Sequence, residues 1–132
     1  MPRDSMRGEL QLAVLLYIRR TLLKYEKQFA VGNHFVDNNG NALPPDASAL
    51  SDVHQRCIGG AVIEALIKLG LEPDASPESH GYKAIMYTLG DNLAADSGRQ
   101  KIQAVLNINN EQGFAATRKL IDGAIKRLYR ED

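Results

Sequence analysis

Aliphatic residues recur at helical spacing along most of the chain, and this periodicity constrains the fold more than any other feature. In each periodic segment, apolar side chains three or four residues apart share one face, which is the pattern of an amphipathic helix. The segments run over about residues 9–28, 56–69, 76–93, 97–106 and 114–130. We therefore predict an all-α protein, a compact bundle of about five helices joined by short connections.

A polar stretch between the first two predicted helices interrupts this pattern. Asn39-Gly40 follows the apolar pair Phe35-Val36, and Asn-Gly is a strong signal for a β-hairpin because both residues tolerate a positive φ. Pro44-Pro45 then ends any strand, since proline cannot donate to a sheet. We predict a small β-hairpin inserted near residues 33–43.

Glycine and proline mark two helix boundaries. Gly70 stands where a left-handed residue would end the second helix, and Pro77 after Ser76 fits the first position of the third. The polar segment 107–113 predicts a loop before the last helix, because asparagine and glycine accept unusual backbone angles. After Gly70 we therefore expect three further helices.

The chain has 132 residues, which is the size of one domain, and it carries no repeat or low-complexity stretch that would indicate a linker. We assign residues 1–8 to a flexible N-terminus and residues 9–132 to a single helical domain. Sixteen basic and sixteen acidic residues give no net charge, and 44% of the residues are hydrophobic. This balance excludes a disordered chain, an acidic solvating tail and a protein that binds polyanions through bulk charge.

The first apolar run, from Leu10 to Ile18, is too short for a membrane span, which needs about 20 apolar residues. Arg19 and Arg20 follow the run where the cleavage site of a leader would need small residues. The single cysteine cannot form an intramolecular disulfide. We therefore expect a cytoplasmic protein that does not insert into a membrane.

The first predicted helix carries two apolar lines. One line, which includes Leu22 and Tyr25, is expected to face the core, and the other consists of Leu12, Leu16 and Leu23. A helix that is apolar on two sides is either central to its domain or part of an interface. The second line is therefore a candidate surface for self-association into a homo-oligomer or for a protein partner.

Cys57, at the start of the second helix, has two interpretations. The helix dipole would stabilise a thiolate there, and His54 or His80 would act as its base in a small cysteine-dependent enzyme. Alternatively, Cys57 is a buried structural residue, and Gly59 and Gly60 let a neighbouring helix approach. We favour the structural interpretation because no recognisable oxyanion hole or cysteine-protease signature accompanies Cys57.

Metal and nucleotide chemistry have little support in the sequence. The three histidines are His34, His54 and His80. They are far apart and lack the spacing of metal ligands on one helix. The segment 37–41 resembles the start of a calcium loop, but Ala42 and Ser48 stand where the glycine and the bidentate glutamate belong. No phosphate-binding glycine motif is present, so we predict neither a metal nor a cofactor.

Basic side chains offer a further kind of candidate site. Arg20, Lys24 and Lys27 of the first helix would form one surface with cations of the last helix if those helices pair. The cations of the last helix are Arg118, Lys119, Lys126, Arg127 and Arg130. Zero net charge favours a solvated face over a phosphate site, so nucleic acid is the less favoured partner. Asn109 and Asn110 are further binding candidates, since their loop and the hairpin would flank a small-ligand pocket.

The order of these landmarks resembles a family of small bacterial and phage-associated proteins of unknown function. The matching residues are Gly32 and Phe35 at the hairpin, the segment 57–61, and Asn109-Asn110 with Gly113. The likeness covers about residues 10–125. Ile108 and Asn110 stand where the family often has an aromatic residue and an acid. The resemblance implies the helical fold and supplies no activity.

These residues form no coherent catalytic constellation, whereas the first helix carries an additional apolar line. We therefore predict a small non-enzymatic, cytoplasmic protein that acts by macromolecular binding or self-association. A cysteine-dependent enzyme with Cys57 as its nucleophile is the alternative.

Overall fold

Four α-helices and a small sheet make up the part of the chain that the computed structural model describes, residues 6–131. In chain order the elements are α1 (Gly8–Tyr17), a π-helical turn (Ile18–Leu22), a 3-10 turn (Glu26–Gln28), β1 (Phe35–Val36), β2 (Ala42–Leu43), a second 3-10 turn (Ala47–Asp52), β3 (Gln55–Arg56), α2 (Ile58–Lys68), α3 (His80–Gly90) and α4 (Gly98–Glu131). Because Gly113 divides α4 in two, there are five α-helical segments, and the predicted helical fold with a small β insertion is confirmed. The predicted flexible N-terminus falls mostly outside the described residues.

The sheet places β1 between β2 and β3, and both pairs are antiparallel. The hairpin of β1 and β2 is the predicted one. Its turn is closed by the Asp37 carboxylate, which accepts hydrogen bonds from the backbone N–H groups of Asn39 and Asn41, each at 2.9 Å. Gly40 has the positive φ of 85° that the turn requires. The third strand was not predicted, because two residues are too few to show an alternating pattern.

The first helix ends at Leu22 rather than near Gln28, so the predicted C-terminal boundary was wrong. The N–H of Leu23 still bonds to the carbonyl of Ile18 at 2.8 Å, but Leu23 leaves the helical conformation with φ −125° and ψ 44°. Arg56 of β3 donates to the carbonyl of Leu22 at 3.3 Å. A side chain from elsewhere in the fold therefore satisfies a carbonyl that this helix end leaves open.

The predicted polar loop 107–113 is helical except at its last residue. Gly113 alone departs from helical geometry, with φ 87° and ψ −167°. The hydroxyl of Thr117 donates to the carbonyl of Gly113 at 2.9 Å, which satisfies one backbone group at the break. The loop prediction was therefore wrong, and tertiary contacts of Asn109 override the weak helix propensity of asparagine.

Helix α3 begins at His80, not at Pro77, and its start is set by a carboxylate rather than by the predicted Ser76 cap. The Glu72 carboxylate accepts from the N–H of Gly81 at 3.1 and 3.3 Å. A carboxylate at this position also complements the positive end of the helix dipole. The predicted end of α2 is confirmed, since Gly70 has a φ of 72°.

The core is built around α2, where every residue from Ile58 to Leu66 is buried. The predicted second apolar line of the first helix packs onto this core. Leu23 is fully buried, and Leu12 and Leu16 are partly buried against the same cluster. This placement agrees with the central-helix interpretation, and Leu23 presents no side-chain surface to a partner.

Candidate functional site

Cys57 lies just before α2, and its side chain serves the fold. The Sγ atom accepts a hydrogen bond from the N–H of Gly60 at 3.4 Å, and the residue is 4% exposed. Burial raises the pKa of this thiol, because the charged thiolate would lose its hydration. Burial therefore favours the protonated thiol over the thiolate.

Two glycines next to Cys57 make room for the start of β1. The carbonyl of His34 accepts from the N–H of Cys57 at 3.2 Å. A Cβ at Gly60 would clash with this carbonyl, and a Cβ at Gly59 would lie 2.9 Å from the His34 ring. The Cβ position of Gly59 is also 3.0 Å from the hydroxyl of Tyr82 in α3. The glycines therefore permit close approach by a helix, as the sequence predicted, and also by the segment that leads into β1.

The histidine that the structure brings to Cys57 is His34. Its Nε2 atom lies 3.5 Å from the hydroxyl of Tyr82, which is 2% exposed. Burial lowers the pKa of His34, while burial and the nearby Cys57 raise the pKa of Tyr82. All three groups are therefore uncharged at neutral pH. The proposed bases His54 and His80 are both exposed.

Asn109 and Asn110, predicted as binding residues, use polar groups to hold the fold together. Asn109 is fully buried, and its Oδ1 accepts from the N–H of Ile58 at 2.9 Å. Its Nδ2 donates to the carbonyl of Ala30 at 3.1 Å and to Oδ1 of Asn110 at 3.0 Å. Asn110 in turn accepts from the N–H of Gly32 at 2.9 Å. These two side chains fasten α4 to the start of α2 and to the segment before β1.

The predicted basic residues Arg20, Lys24 and Lys27 are all exposed. Lys24 and Lys27 place their Nζ atoms 5.3 and 5.6 Å from the ring centroid of Tyr25, which is 52% exposed. The expectation that Tyr25 faces the core was wrong, because the helix that would have turned it inward ends at Leu22. We call these four residues the Tyr25 surface.

A groove of about 360 Å³ runs along α4 at the Gly113 break. We call its small and aliphatic lining residues, which are all half-buried, the floor of the groove, and its cationic and amide lining residues the edge. The lining residues are Ile108, Ala116, Leu120 and Gly123, with Asn92, Gln112, Lys119 and Arg127. Arg127 is held in place because it donates to the carbonyl of Thr88 at 2.7 Å. We call this feature the α4 groove, and sequence reasoning missed it because its walls depend on the bend at Gly113.

A small-ligand pocket was predicted between residues 107–113 and the hairpin, but the lining of the α4 groove includes no hairpin residue. Ile108 and Gln112 of that segment do line the α4 groove, but the opposite wall comes from the second half of α4 and from Asn92. Asn110 instead contacts the loop before β1.

Within residues 6–131, no group of three histidine, cysteine or acidic side chains is placed to hold a metal ion. None of the helices in this described range is long and apolar enough to cross a membrane. No protein-family model matches the chain, and comparisons with curated proteins and with solved structures give no significant match.

Proposed function

We propose that this protein is a non-enzymatic, cytoplasmic binding protein that captures an acidic segment of another protein in the α4 groove. The observation that carries the proposal is the combination of an apolar floor with two cations at the edge, Lys119 and Arg127. The single cysteine supports a reducing compartment, where structural disulfides are rare.

Gly123, in the floor of the groove, supports close approach by a partner. A glycine inside a helix costs about 1 kcal/mol relative to alanine. Among the described side chains, a Cβ built at Gly123 would meet only the guanidinium end of Arg127, at an ordinary van der Waals distance of 3.5 Å. The packing of the chain therefore does not require this glycine, whereas a partner backbone that approaches α4 closely would require it.

The positive charge of the α4 groove favours an acidic partner. Lys119 and Arg127 line it, Lys126 and Arg130 are exposed on the following turns, and the lining includes no carboxylate among the described residues. An amphipathic helix with apolar anchors and acidic flanks is complementary to such a surface, and helix-in-groove recognition is a common mode of peptide binding. The apolar anchors would fill the floor at Ala116 and Leu120.

The burial and hydrogen bonding of Cys57 support a non-enzymatic protein over a cysteine-dependent enzyme. Nucleophilic catalysis requires a thiolate that substrate can reach. Cys57 is buried, its pKa is raised, and its Sγ is engaged by the N–H of Gly60. The enzyme alternative would need this cluster to open before any reaction.

The proposal is tested with three synthetic peptides of equal length: an amphipathic helix with leucine anchors and glutamate flanks, the same peptide with lysine flanks, and a scrambled glutamate peptide. We expect only the first to bind, with NMR shifts at Ile108, Ala116, Leu120 and Gly123. Lys119→Glu should weaken its binding by roughly tenfold, because it reverses a charge at the groove edge. Lys27→Glu, a charge reversal on the Tyr25 surface, is the matched control and should leave binding unchanged.

Equal binding of the scrambled peptide, or shifts that avoid the groove, would overturn the proposal. A concentration-dependent dimer that Gly123→Leu abolishes would place a second copy of this chain in the groove instead. Analytical sedimentation of the parent protein and of Gly123→Leu distinguishes this dimer from a monomer that binds the peptide.

A further inference from the structure

The Tyr25 surface is a second exposed feature, separate from the residues that line the α4 groove. The backbone on both sides of Tyr25 is fixed. Its N–H donates to Oε1 of Gln28 at 2.8 Å, and Nε2 of Gln28 donates to the carbonyl of Thr21 at 2.8 Å. The carbonyl of Lys24 accepts from Nη1 of Arg118 at 2.8 Å. The exposed ring is therefore presented on an ordered backbone rather than on a loose loop.

The side chains around the ring are mostly cationic. Lys24 and Lys27 hold their ammonium groups within 6 Å of the ring centroid, which is the range of a cation–π interaction. Arg20, five residues before Tyr25 in the sequence, is a third exposed cation, and the neighbouring residue Glu26 is an exposed acid. The surface therefore combines an exposed aromatic side chain with a local excess of positive charge.

We propose that the Tyr25 surface binds single-stranded nucleic acid. One unpaired base stacks on Tyr25 in place of a lysine ammonium group, and the exposed side chains of Lys24 and Lys27 turn to the adjoining phosphates. Single-strand binding proteins combine aromatic platforms with cations that follow the backbone. An acidic peptide would use the cations but gains nothing from the ring. A paired duplex would offer phosphates but no free base face, so an unpaired strand uses both features of the surface.

The number of cations on the Tyr25 surface determines how strongly its affinity for nucleic acid depends on salt. About three cations give an expected slope of roughly −2 in a plot of log affinity against log salt concentration, at about −0.7 for each phosphate contact on a single strand. The proposal concerns a different surface from the α4 groove and does not rest on the function proposed for it.

The test uses fluorescence anisotropy with a labelled oligothymidylate of about eight residues at low salt. Tyr25→Ala should weaken binding by roughly tenfold, because stacking on one aromatic residue contributes that much affinity. Tyr25→Phe should retain binding, since it keeps the ring. Tyr129→Ala removes a tyrosine of similar exposure, 56%, and is the matched control. The double substitution of Lys24 and Lys27 by glutamine should reduce the salt slope by roughly 1.4.

Three results would overturn the proposal. One is an equal loss of affinity in Tyr25→Phe and Tyr25→Ala. Another is equal affinity for a duplex of the same length. The third is competition by polyglutamate at the same charge concentration, which would show an acidic peptide site instead. Because Tyr25 is exposed, circular dichroism should show that all variants fold. The α4 groove is tested separately from the Tyr25 surface, by whether Lys119→Glu weakens binding of the acidic amphipathic peptide.

Discussion

The Oδ1 atom of Asn109, in the middle of α4, accepts a hydrogen bond from the N–H of Ile58, the first residue of α2. The amide of Asn109 thus acts as a cap for a helix that begins 51 residues earlier in the chain. The same side chain donates to the carbonyl of Ala30. One buried amide therefore joins three segments that have no local sequence relationship.

Replacing Asn109 by alanine should destabilise the protein strongly. The change leaves the buried N–H of Ile58 without its Asn109 partner, and an unsatisfied buried polar group costs about 1–3 kcal/mol. Since the carbonyl of Ala30 also loses its partner, we expect a fall of about 2–3 kcal/mol in the free energy of urea unfolding. Asn107→Ala is the control, because Asn107 is exposed and bonds only to the Gln103 side chain. Similar losses in both variants would contradict this role.

Gly60→Ala should also be severe, for a steric reason. The added Cβ would collide with the backbone carbonyl of His34, the residue before β1, and a backbone segment cannot move aside as a flexible side chain can. We expect a loss of about 3 kcal/mol or failure to fold. Gly8→Ala serves as the comparison, since no atom of residues 6–131 that could obstruct it lies within 4 Å of its Cβ position. A Gly60→Ala protein as stable as the parent would show that β1 does not approach α2.

The lowered pKa of His34 predicts a pH dependence of stability. Burial disfavours the charged imidazolium in the folded state, while in the unfolded chain His34 titrates near 6.5. Below about pH 6.5 the unfolded state binds more protons, so stability falls as the pH drops towards the folded pKa. His34→Gln lacks this titration. The stability of the parent relative to His34→Gln should therefore decrease between pH 7 and pH 5 in chemical denaturation, and a constant difference would contradict the assignment.

Local signals predicted α2 and the hairpin well, because their determinants are close together in the sequence. Apolar residues at helical spacing fill α2, and Gly70 supplies the left-handed residue that ends it. The predicted hairpin forms with residues 37–41 as its loop, in which Gly40 has the positive φ. In each of these cases the residues that decide the backbone geometry belong to the element itself or adjoin it.

The misplaced boundaries have distant causes. The apolar spacing of the first helix continues through Tyr25, yet the chain leaves the helix at Leu23, where Arg56 bonds to the preceding carbonyl. The segment around Asn109 was predicted as a loop from its asparagine and glycine residues. That prediction failed because the hydrogen-bond partners of Asn109 lie 51 and 79 residues away in the sequence. The exposure of Tyr25 follows from the early end of the first helix, and the α4 groove follows from the bend at Gly113, so the sequence pattern did not reveal either feature.

The buried ion pair of Arg56 and Glu64 predicts a non-additive pair of substitutions. The Arg56 guanidinium contacts the Glu64 carboxylate at 2.9 and 3.4 Å, and Lys68 contacts the same carboxylate at 2.6 Å. Arg56→Met leaves a buried carboxylate with only Lys68, and we expect a loss of about 3 kcal/mol in thermal or urea unfolding. Adding Glu64→Leu should recover part of this loss, because it removes the charge left behind. If the stability loss of the double variant equals the sum of the losses of the two single variants, Arg56 and Glu64 do not interact directly.

Gly123→Ala should stabilise the free protein and weaken the proposed complex. The substitution should add about 1 kcal/mol to the free energy of unfolding, because Gly123 lies inside a helix and its Cβ position is at an ordinary van der Waals distance, 3.5 Å, from the Arg127 guanidinium. Gly81→Ala is the control and should destabilise, since its Cβ would lie 2.5 Å from the Glu72 carboxylate. If a partner backbone packs against Gly123, the same methyl group should reduce affinity for the acidic amphipathic peptide. A variant that is more stable and binds as well as the parent would show that no backbone approaches the floor at Gly123.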